Sequence, residues 1–445
     1  MMLRPSTRLL RLTLLLVALA VLPLLARWWW PQQQTNAELL WLAGLALWLL
    51  LVVSDIIRVL LLPNVNGKRL LPAAFSVQRE HSVRLQFVSA ELPPLVELAD
   101  HHPADDDSCG FPSLLQPSSS AITEYQYRYR PAQRGQAQFG DIELWLPGPL
   151  GLIYQRRRIA AAASVPVYPD FSMLHTDGML AQQDHQLDQA QRPQQRRGEG
   201  MEFNQLREYR AGDTLRQIDW KASARRRTLI SREYQEEQNQ HIIVLLDGGA
   251  RLAMPANGLS GFDHALNACL LLAWNAIKQG DRPGVMLFSN EQDCWLPPKR
   301  GQQGLHRLLN GLYTIQPSQR TSDYSQVART LLSRWHKHAL VVLISHLQTD
   351  DDVELIKTVK LLSNKHLLLI ADIQLPSQAR LKHSAINSLD DAFSVAADAA
   401  WQAERQALHT RLRHAGAMLI EATPEQLPAR LNQSYLALKR SGKLL

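Results

Sequence analysis

The chain has 445 residues, more than one ordinary domain holds, so two or three folded units are expected. Its net charge of +7 is modest for that length and suits a protein resting against an anionic cytoplasmic leaflet as well as one binding nucleic acid. The three cysteines, Cys109, Cys269 and Cys294, show no C-x-x-C spacing, which argues against a disulfide framework or a zinc ribbon and favours a reducing compartment.

Two apolar stretches open the chain, over about residues 9–30 and 39–62, with a short polar Pro-Gln-Gln-Gln-Thr-Asn between them. Each is close to the roughly 20 residues that a bilayer span requires. Trp28, Trp29 and Trp30 would form an aromatic belt at one interface. Arg4, Arg8 and Arg11 precede the first stretch, and Arg58, Lys68 and Arg69 flank the end of the second. Positive-inside reasoning therefore puts both outer ends in the cytoplasm and the turn outside. A cleaved signal peptide is the alternative for the first stretch, disfavoured because a second span follows at once. Asp55 and Arg58, three apart on one helical face, are expected to form a simple interfacial pair.

From about residue 75 to 170 the texture is strand-like. Segments 76–88, 121–129, 142–145 and 165–168 alternate or carry β-branched and aromatic residues, and Pro and Gly clusters punctuate them. A small antiparallel β-sandwich is expected, with an acidic, Ser/Pro-rich loop over 100–120. Residues 175–197 are rich in Gln, Asp and Arg and read as a solvated connector. Short basic runs at Arg156–Arg158, Arg196–Arg197 and Arg225–Arg227 lack the interleaved stacking aromatics of a nucleic-acid site, so no nucleic-acid partner is expected.

Residues 200–247 crowd Arg207, Glu208, Arg210, Asp213, Arg216, Asp219, Lys221 and Arg225 around Phe203, Leu206, Tyr209, Ile218 and Trp220, then run into an apolar strand ending at Asp247. This collar resembles the signature of the bacterial domain-of-unknown-function family 58, roughly F-x-x-L-R-x-Y-x-x-G-D-x-x-R-x-I-D-W-x-x-x-A-R. Phe203, Leu206, Arg207, Tyr209, Gly212, Asp213, Arg216, Ile218, Asp219, Trp220, Ala224 and Arg225 fall in register. The β-rich region adds weaker matches at Arg134–Gly135 and Pro149–Leu152. Two roles are open for the collar. It is a charge-assisted network anchored by Trp220 that fixes the neighbouring domains, or it is a docking surface.

Beyond the collar, strands and helices alternate. Strands are expected at 241–247, 285–289, 339–347, 366–373 and 418–422, and helices at 262–279, 303–314, 324–335, 353–364, 388–415 and 425–440. Such alternation implies right-handed crossovers and a parallel sheet. The order resembles the von Willebrand factor type A fold. The expected organisation is a two-helix transmembrane hairpin (1–70), an all-β sandwich-like domain (71–172), a polar connector (173–199), the collar (200–240) and a von Willebrand factor A-like α/β domain with a mostly parallel sheet (241–445).

Open parallel sheets bind ligands at the carboxyl ends of their strands. In the von Willebrand A fold that place holds a metal site built from a D-x-S-x-S loop, a later Thr and a second Asp. Here the loop reads Asp247-Gly248-Gly249-Ala250-Arg251, so Gly249 and Arg251 stand at the hydroxyl positions. His346 stands where a second carboxylate is common, and Thr321, or Asp323, is left for the threonine position. An arginine at a Mg²⁺ ligand position repels the cation and can pair with Asp247, so a degenerate site without a cofactor is expected. No nucleophile elbow, Walker loop, G-x-G-x-x-G or H-E-x-x-H is present. Cys294 beside Trp295 reads as packed, and His264, His306, His336, His338 and His366 are scattered over different elements.

Resemblance to family 58 implies partnership with MoxR-type AAA+ ATPases. The expected function is a non-enzymatic interaction platform in the bacterial inner membrane, multi-pass with both termini cytoplasmic, whose partners are that ATPase, other membrane proteins and the lipid bilayer. The alternative is a hydrolase using the strand-end cleft around Asp247 and His346; a triad of Ser289, His346 and Asp247 can be imagined there, but nothing in the sequence fixes an oxyanion hole for it.

Overall fold

The computed structural model describes residues 2–21, 34–88, 92–103, 110–118, 120–170, 197–209, 218–235, 239–291, 294–348, 350, 352–374 and 389–443. The chain forms two compact units, Met1–Tyr168 and Pro169–Leu445. The connector expected at 173–199 falls almost wholly outside the described residues, as do Cys109, Trp28–Trp30, Asp213 and Arg216.

The first unit opens with a short strand β1 (Met2–Pro5), a helix α1 (Thr7–Leu19) and a long apolar helix α2 (Gln34–Leu60). Over Glu38–Leu60, α2 is long and apolar enough to cross a membrane. The first apolar stretch is described as a helix only as far as residue 21, and its remainder lies outside the described residues. Strands β2 (Gly67–Leu70), β3 (Phe75–Ser76), β4 (His81–Val88), β5 (Val96–Asp100), β6 (Ser113–Leu115), β7 (Ile122–Tyr129), β8 (Gly135–Phe139), β9 (Ile142–Pro147), β10 (Ile153–Ile159) and β11 (Ala163–Tyr168) follow.

They form three sheets, β1-β10-β9-β5-β6, β2-β4-β7 and β3-β11-β8. Alternation explains the layering: Val83, Leu85 and Phe87 of β4 are buried while the residues between them are not. Arg69 of β2 pairs with Asp100 of β5 and donates to the Gly140 and Ala161 carbonyls, at 2.9 and 2.6 Å. Tyr127 of β7 donates to the same Asp100 at 2.6 Å. A buried ion pair thus links the β2-β4-β7 sheet to the β1-β10-β9-β5-β6 sheet.

The chain does not divide at residue 70. Met2–Pro5 pairs antiparallel with β10, and Gly67–Leu70 pairs with β4, so both ends of the apolar region are strands of the β-unit. Four-residue strands are too short to show a period in sequence. Asp55 also departs from expectation. It is wholly buried, and its carboxylate accepts from the backbone N–H groups of Leu150, Leu152 and Ile153 at 2.9, 3.0 and 3.1 Å. The β9–β10 turn has room for it because Gly148 lacks a side chain; a Cβ there would lie 2.5 Å from Asp55 Oδ1.

The second unit begins with a two-stranded ribbon, β12 (Arg197–Glu208) and β13 (Ile230–Gln235), with a short helix α3 (Trp220–Arg226) between them. Then come β14 (His241–Asp247), a hairpin of β15 (Pro255–Ala256) and β16 (Leu259–Ser260), α4 (Gly261–Lys278), β17 (Arg282–Phe288), β18 (Cys294–Leu296), α5 (Gln302–Leu312), α6 (Tyr324–Arg334), β19 (Leu340–Ser345), α7 (Asp352–Ser363), β20 (Leu367–Ile373), α8 (Leu389–His414), β21 (Met418–Ala422) and α9 (Leu427–Arg440).

The six-stranded sheet runs β18-β17-β14-β19-β20-β21, parallel except for the antiparallel edge β18. Ile243, Leu245, Val341, Leu343, Leu368 and Ile370 face α6, α7 and α8, burying Leu331, Val359 and Leu408 among them. Residues of opposite parity, such as Val244 and Val342, turn to the other face, which α4 and α9 cover. Strands buried on both faces explain the unbroken apolar runs in the sequence. The order turns back from β14 to β19, and this reversal is the switch point at which the candidate site sits. The architecture is that of a von Willebrand factor A-like domain.

Candidate functional site

Asp247 ends β14 with no solvent exposure. Its Oδ2 accepts from Ser322 Oγ at 2.7 Å and Ser345 Oγ at 2.6 Å, and its Oδ1 accepts from the Gly249 N–H at 3.0 Å. Ser345 spends its one hydrogen on the carboxylate, so the Tyr324 hydroxyl, 2.9 Å away, must donate to Ser345. Tyr324 in turn accepts from Arg251 Nη1 at 3.1 Å. The polarity is consistent from end to end: Arg251 donates to Tyr324, Tyr324 to Ser345 and Ser345 to Asp247. Burial pushes the Asp247 carboxyl above its ordinary value, while the two hydroxyls, the backbone N–H and the Arg251 charge pull it back.

A divalent cation does not suit this arrangement. Mg²⁺ asks for several oxygen ligands in near-octahedral array. Here one carboxylate is served by two hydroxyls that point their hydrogens at it, and a guanidinium ends the chain. The Gly249 position is closed as well, because a Cβ there would lie 2.6 Å from the Arg320 carbonyl oxygen. A serine at that position would collide with the neighbouring loop. Among the described residues no group of three His, Cys, Asp or Glu is placed to hold a metal.

Three residues expected at the site are placed otherwise. Thr321 is exposed and lines a small cavity of about 240 Å³ with Ser289, Asn290 and Asp323. Its neighbour Ser322 is the residue that reaches Asp247. Asp323 caps α6, accepting from Gln326 N at 2.7 Å. His346 is buried, bonds the Ile373 carbonyl through Nδ1 at 2.7 Å, and is held below the usual histidine range by burial. Ser345, one position earlier, takes the place at Asp247, since successive residues of a strand point to opposite sides. Ser289, at φ 59°, accepts from the Asp323 N–H at 3.2 Å. The serine–histidine–aspartate set imagined from sequence therefore does not come together. Burial also pushes the Cys294 thiol up and the Cys269 thiol to about 12, opposite to what an activated nucleophile needs.

A second buried carboxylate lies two strands away. Asp372 of β20 accepts from Arg405 Nη2 at 2.5 Å and His409 Nε2 at 2.8 Å, both on α8, and from the Leu347 N–H at 3.0 Å. Sequence reading missed this cluster, although Arg405 and His409 stand four apart on one helical face. It also missed Tyr324 and Ser345, whose roles depend on a contact across the sheet edge.

The collar is only partly described. The backbones of Phe203 and Arg207 pair with Tyr234 and Ser231 in the β12–β13 ribbon. The Tyr209 N–H reaches the Leu229 carbonyl at 2.8 Å. Asp219 caps α3, accepting from Lys221 N and Ala222 N, both at 3.0 Å. Ile218 and Ile230 supply the buried apolar contacts. Trp220 does not: it is 67 % exposed, on the outer side of α3 with Lys221, Arg225 and Arg226. The expected apolar anchor is thus corrected. An N-cap at Asp219 fixes the helix phase, and that phase turns residue 220 outward while Ser223 turns in to accept from Ile230 N at 2.8 Å.

Residues 205–417 match the model of a family described as protein of unknown function DUF58. The chain is 25 % identical over 107 residues to the uncharacterized protein YeaD of Bacillus subtilis (strain 168), a match spanning 24 % of this chain and 25 % of that relative's length. Among solved structures it is similar to the SpRpn10 VWA domain (13 % identity, TM-score 0.30, 44 % of this chain and 95 % of that one). It is also similar to the conserved hypothetical protein BatB from Bacteroides thetaiotaomicron (11 % identity, TM-score 0.29, 45 % and 99 %). The matched stretch runs from within the collar to the residue before the last strand of the sheet.

Proposed function

We propose that the chain is a membrane-anchored platform for protein–protein interaction, facing the cytoplasm of a bacterium and working with a MoxR-type AAA+ ATPase that supplies the hydrolysis. In this reading the chain is not itself an enzyme. Its docking face is the outer side of α3. The observation that carries the reading is Trp220, largely exposed beside Lys221, Arg225 and Arg226. Tryptophan and arginine are the side chains that most often dominate protein interfaces, and an exposed Trp gains much on being covered. The strand-end site favours the same reading, because Asp247 is satisfied from within and offers no free nucleophile, base or metal ligand.

Anchorage by two spans is supported by strand pairing. Met2–Pro5 is bonded to β10, so the chain before α1 and the chain after α2 lie on one side of any membrane. The number of crossings between them is then even, and a crossing by α2 calls for a second one between residues 6 and 33. Both termini in the cytoplasm follow from the basic flanks Arg4, Arg8, Arg11, Arg58 and Lys68.

The test is binding of the full chain, in detergent or nanodiscs, to the organism's MoxR-type ATPase. Trp220→Ala and Arg225→Glu are expected to weaken capture by about tenfold or more, the loss of one interface hot spot, with thermal stability unchanged. Undiminished capture sinks the docking face, and a parallel loss of stability returns the collar to an internal brace.

A further inference from the structure

A groove of about 910 Å³ opens at the foot of the apolar helices, where the chain leaves the β-unit and returns to it. Its walls are Ser6, Thr7 and Arg8 at the start of α1, Leu62 just beyond α2, Leu95, and the β9–β10 turn with Leu150. Its lining is mixed in chemistry. Leu150 and Leu95 in its wall are 44 % and 38 % exposed, both apolar groups with nothing packed over them.

The basic groups there divide into two kinds. Arg4 is engaged: it pairs with Glu97 at 2.8 Å and lies over the Trp145 and Tyr154 rings at 4.9 and 5.5 Å. Arg8 is exposed and has no carboxylate partner among the described residues, although its guanidinium rests against the turn at Gly151. Among the described residues the first-turn N–H groups of Thr7 and Arg8 have no hydrogen-bond partner, as first-turn N–H groups of a helix do, and Ser6 Oγ serves Leu9 N at 3.0 Å. Cation, free N–H groups and uncovered leucines converge on one place.

The depth of that place is fixed by Asp55. Its three backbone contacts tie the last turns of α2 to the β9–β10 turn, leaving residues 38–54 as the part free to lie in hydrocarbon. Seventeen residues at about 1.5 Å each cover roughly 26 Å, near the thickness of a bilayer core. The groove then sits at headgroup level.

We infer that this groove is a binding site for the phosphate diester of an anionic phospholipid. Arg8 and the α1 N-terminus take the phosphate, and Leu62, Leu95 and Leu150 cover the start of the acyl chains. The inference rests on the membrane anchorage proposed above. A zwitterionic lipid carries its own cation beside the phosphate and leaves Arg8 without its advantage.

The test uses the full chain purified in detergent, with bound lipid counted by native mass spectrometry after addition of phosphatidylglycerol, phosphatidylcholine or inorganic phosphate. Phosphatidylglycerol is expected to remain bound. Arg8→Gln should weaken it about tenfold, as loss of one charge-assisted contact does, while Arg84→Gln on the exposed side of β4 leaves it unchanged. Equal retention of phosphatidylcholine, displacement by millimolar phosphate, or full retention by Arg8→Gln each overturns the inference. Alkaline carbonate extraction separates this from anchorage. A wild-type chain released from membranes refutes the anchor, whereas one that stays in the membrane without retaining phosphatidylglycerol refutes only the headgroup site.

Discussion

Asp247 and Asp372 lie at the carboxyl ends of two strands in one sheet, and neither has any exposure to solvent, yet the fold answers them in opposite ways. Asp247 is met by neutral donors, Ser322, Ser345 and a backbone N–H, with the one cation, Arg251, held two hydroxyls away. Asp372 is met directly by a guanidinium and an imidazole from α8. The first solution closes a position where a parallel sheet would otherwise present ligands. The second ties a long helix to the end of the interior strand β20. A hydroxyl-bonded carboxylate can lose one partner at modest cost, whereas a buried ion pair that loses its cation leaves a charge stranded in the interior.

Four measurements bear on that contrast. The largest effect is expected from Arg405→Met, which strands Asp372 and should lower unfolding stability by roughly 3–5 kcal/mol. Chemical denaturation reads the loss, and adding Asp372→Asn should restore most of it. A small loss in the single variant would mean that Asp372 is not held as an ion. Next, Ser345→Ala removes both the donor to Asp247 and the acceptor for Tyr324. Its cost should be about 1–3 kcal/mol, the range for a buried group left without its partner. A cost matching that of Arg405→Met would erase the distinction between the sites.

The third is a pH dependence. Burial holds the folded-state pKa of Asp247 above its ordinary value of 3.8, so the folded protein binds this proton more tightly than the unfolded chain does. The stabilisation linked to that proton is complete below the unfolded pKa and is lost as pH rises through the folded one. Wild type should therefore lose stability relative to Asp247→Asn as the pH is raised from about 4 toward neutrality. A difference that is flat, or that runs the other way, would show that burial does not raise the Asp247 pKa. The smallest effect concerns Mg²⁺. A specific ligand at 100 times its dissociation constant stabilises by about 2.7 kcal/mol, and no such shift in melting temperature is expected with Mg²⁺. A clear shift abolished by Asp247→Ala would mean that the hydroxyls rotate to serve a cation.

Much of the second unit was legible in the sequence because its strands are buried on both faces and read as unbroken apolar runs. The run at 241–247 became β14 residue for residue, and 418–422 became β21. The outer helices carry enough apolar periodicity to be placed within a few residues. The first unit was legible as β-rich but not in its boundaries, because β1 and β2 are four residues long and acquire meaning only from their partners. Asp247 was found as a strand-end acid, and its altered loop was visible in Gly249 and Arg251. Its true partners, Ser322 and Ser345, come from a loop and a strand 75 and 98 positions away.

What the sequence by itself determined is therefore whatever depends on near neighbours: the apolar helix, the alternation of strands and helices, the family signature and the missing hydroxyls of the Asp247 loop. Only the tertiary structure decided which polar group answers which. Asp55 left its expected pairing with Arg58 for three N–H groups of a turn nearly a hundred residues on, and Trp220 turned outward because Asp219 capped the helix beneath it. The reason is physical. Apolar burial is non-directional and sums along the chain, so its pattern survives in one dimension. A hydrogen bond needs a particular atom within about 3 Å at a particular angle, and that is a property of the folded chain alone.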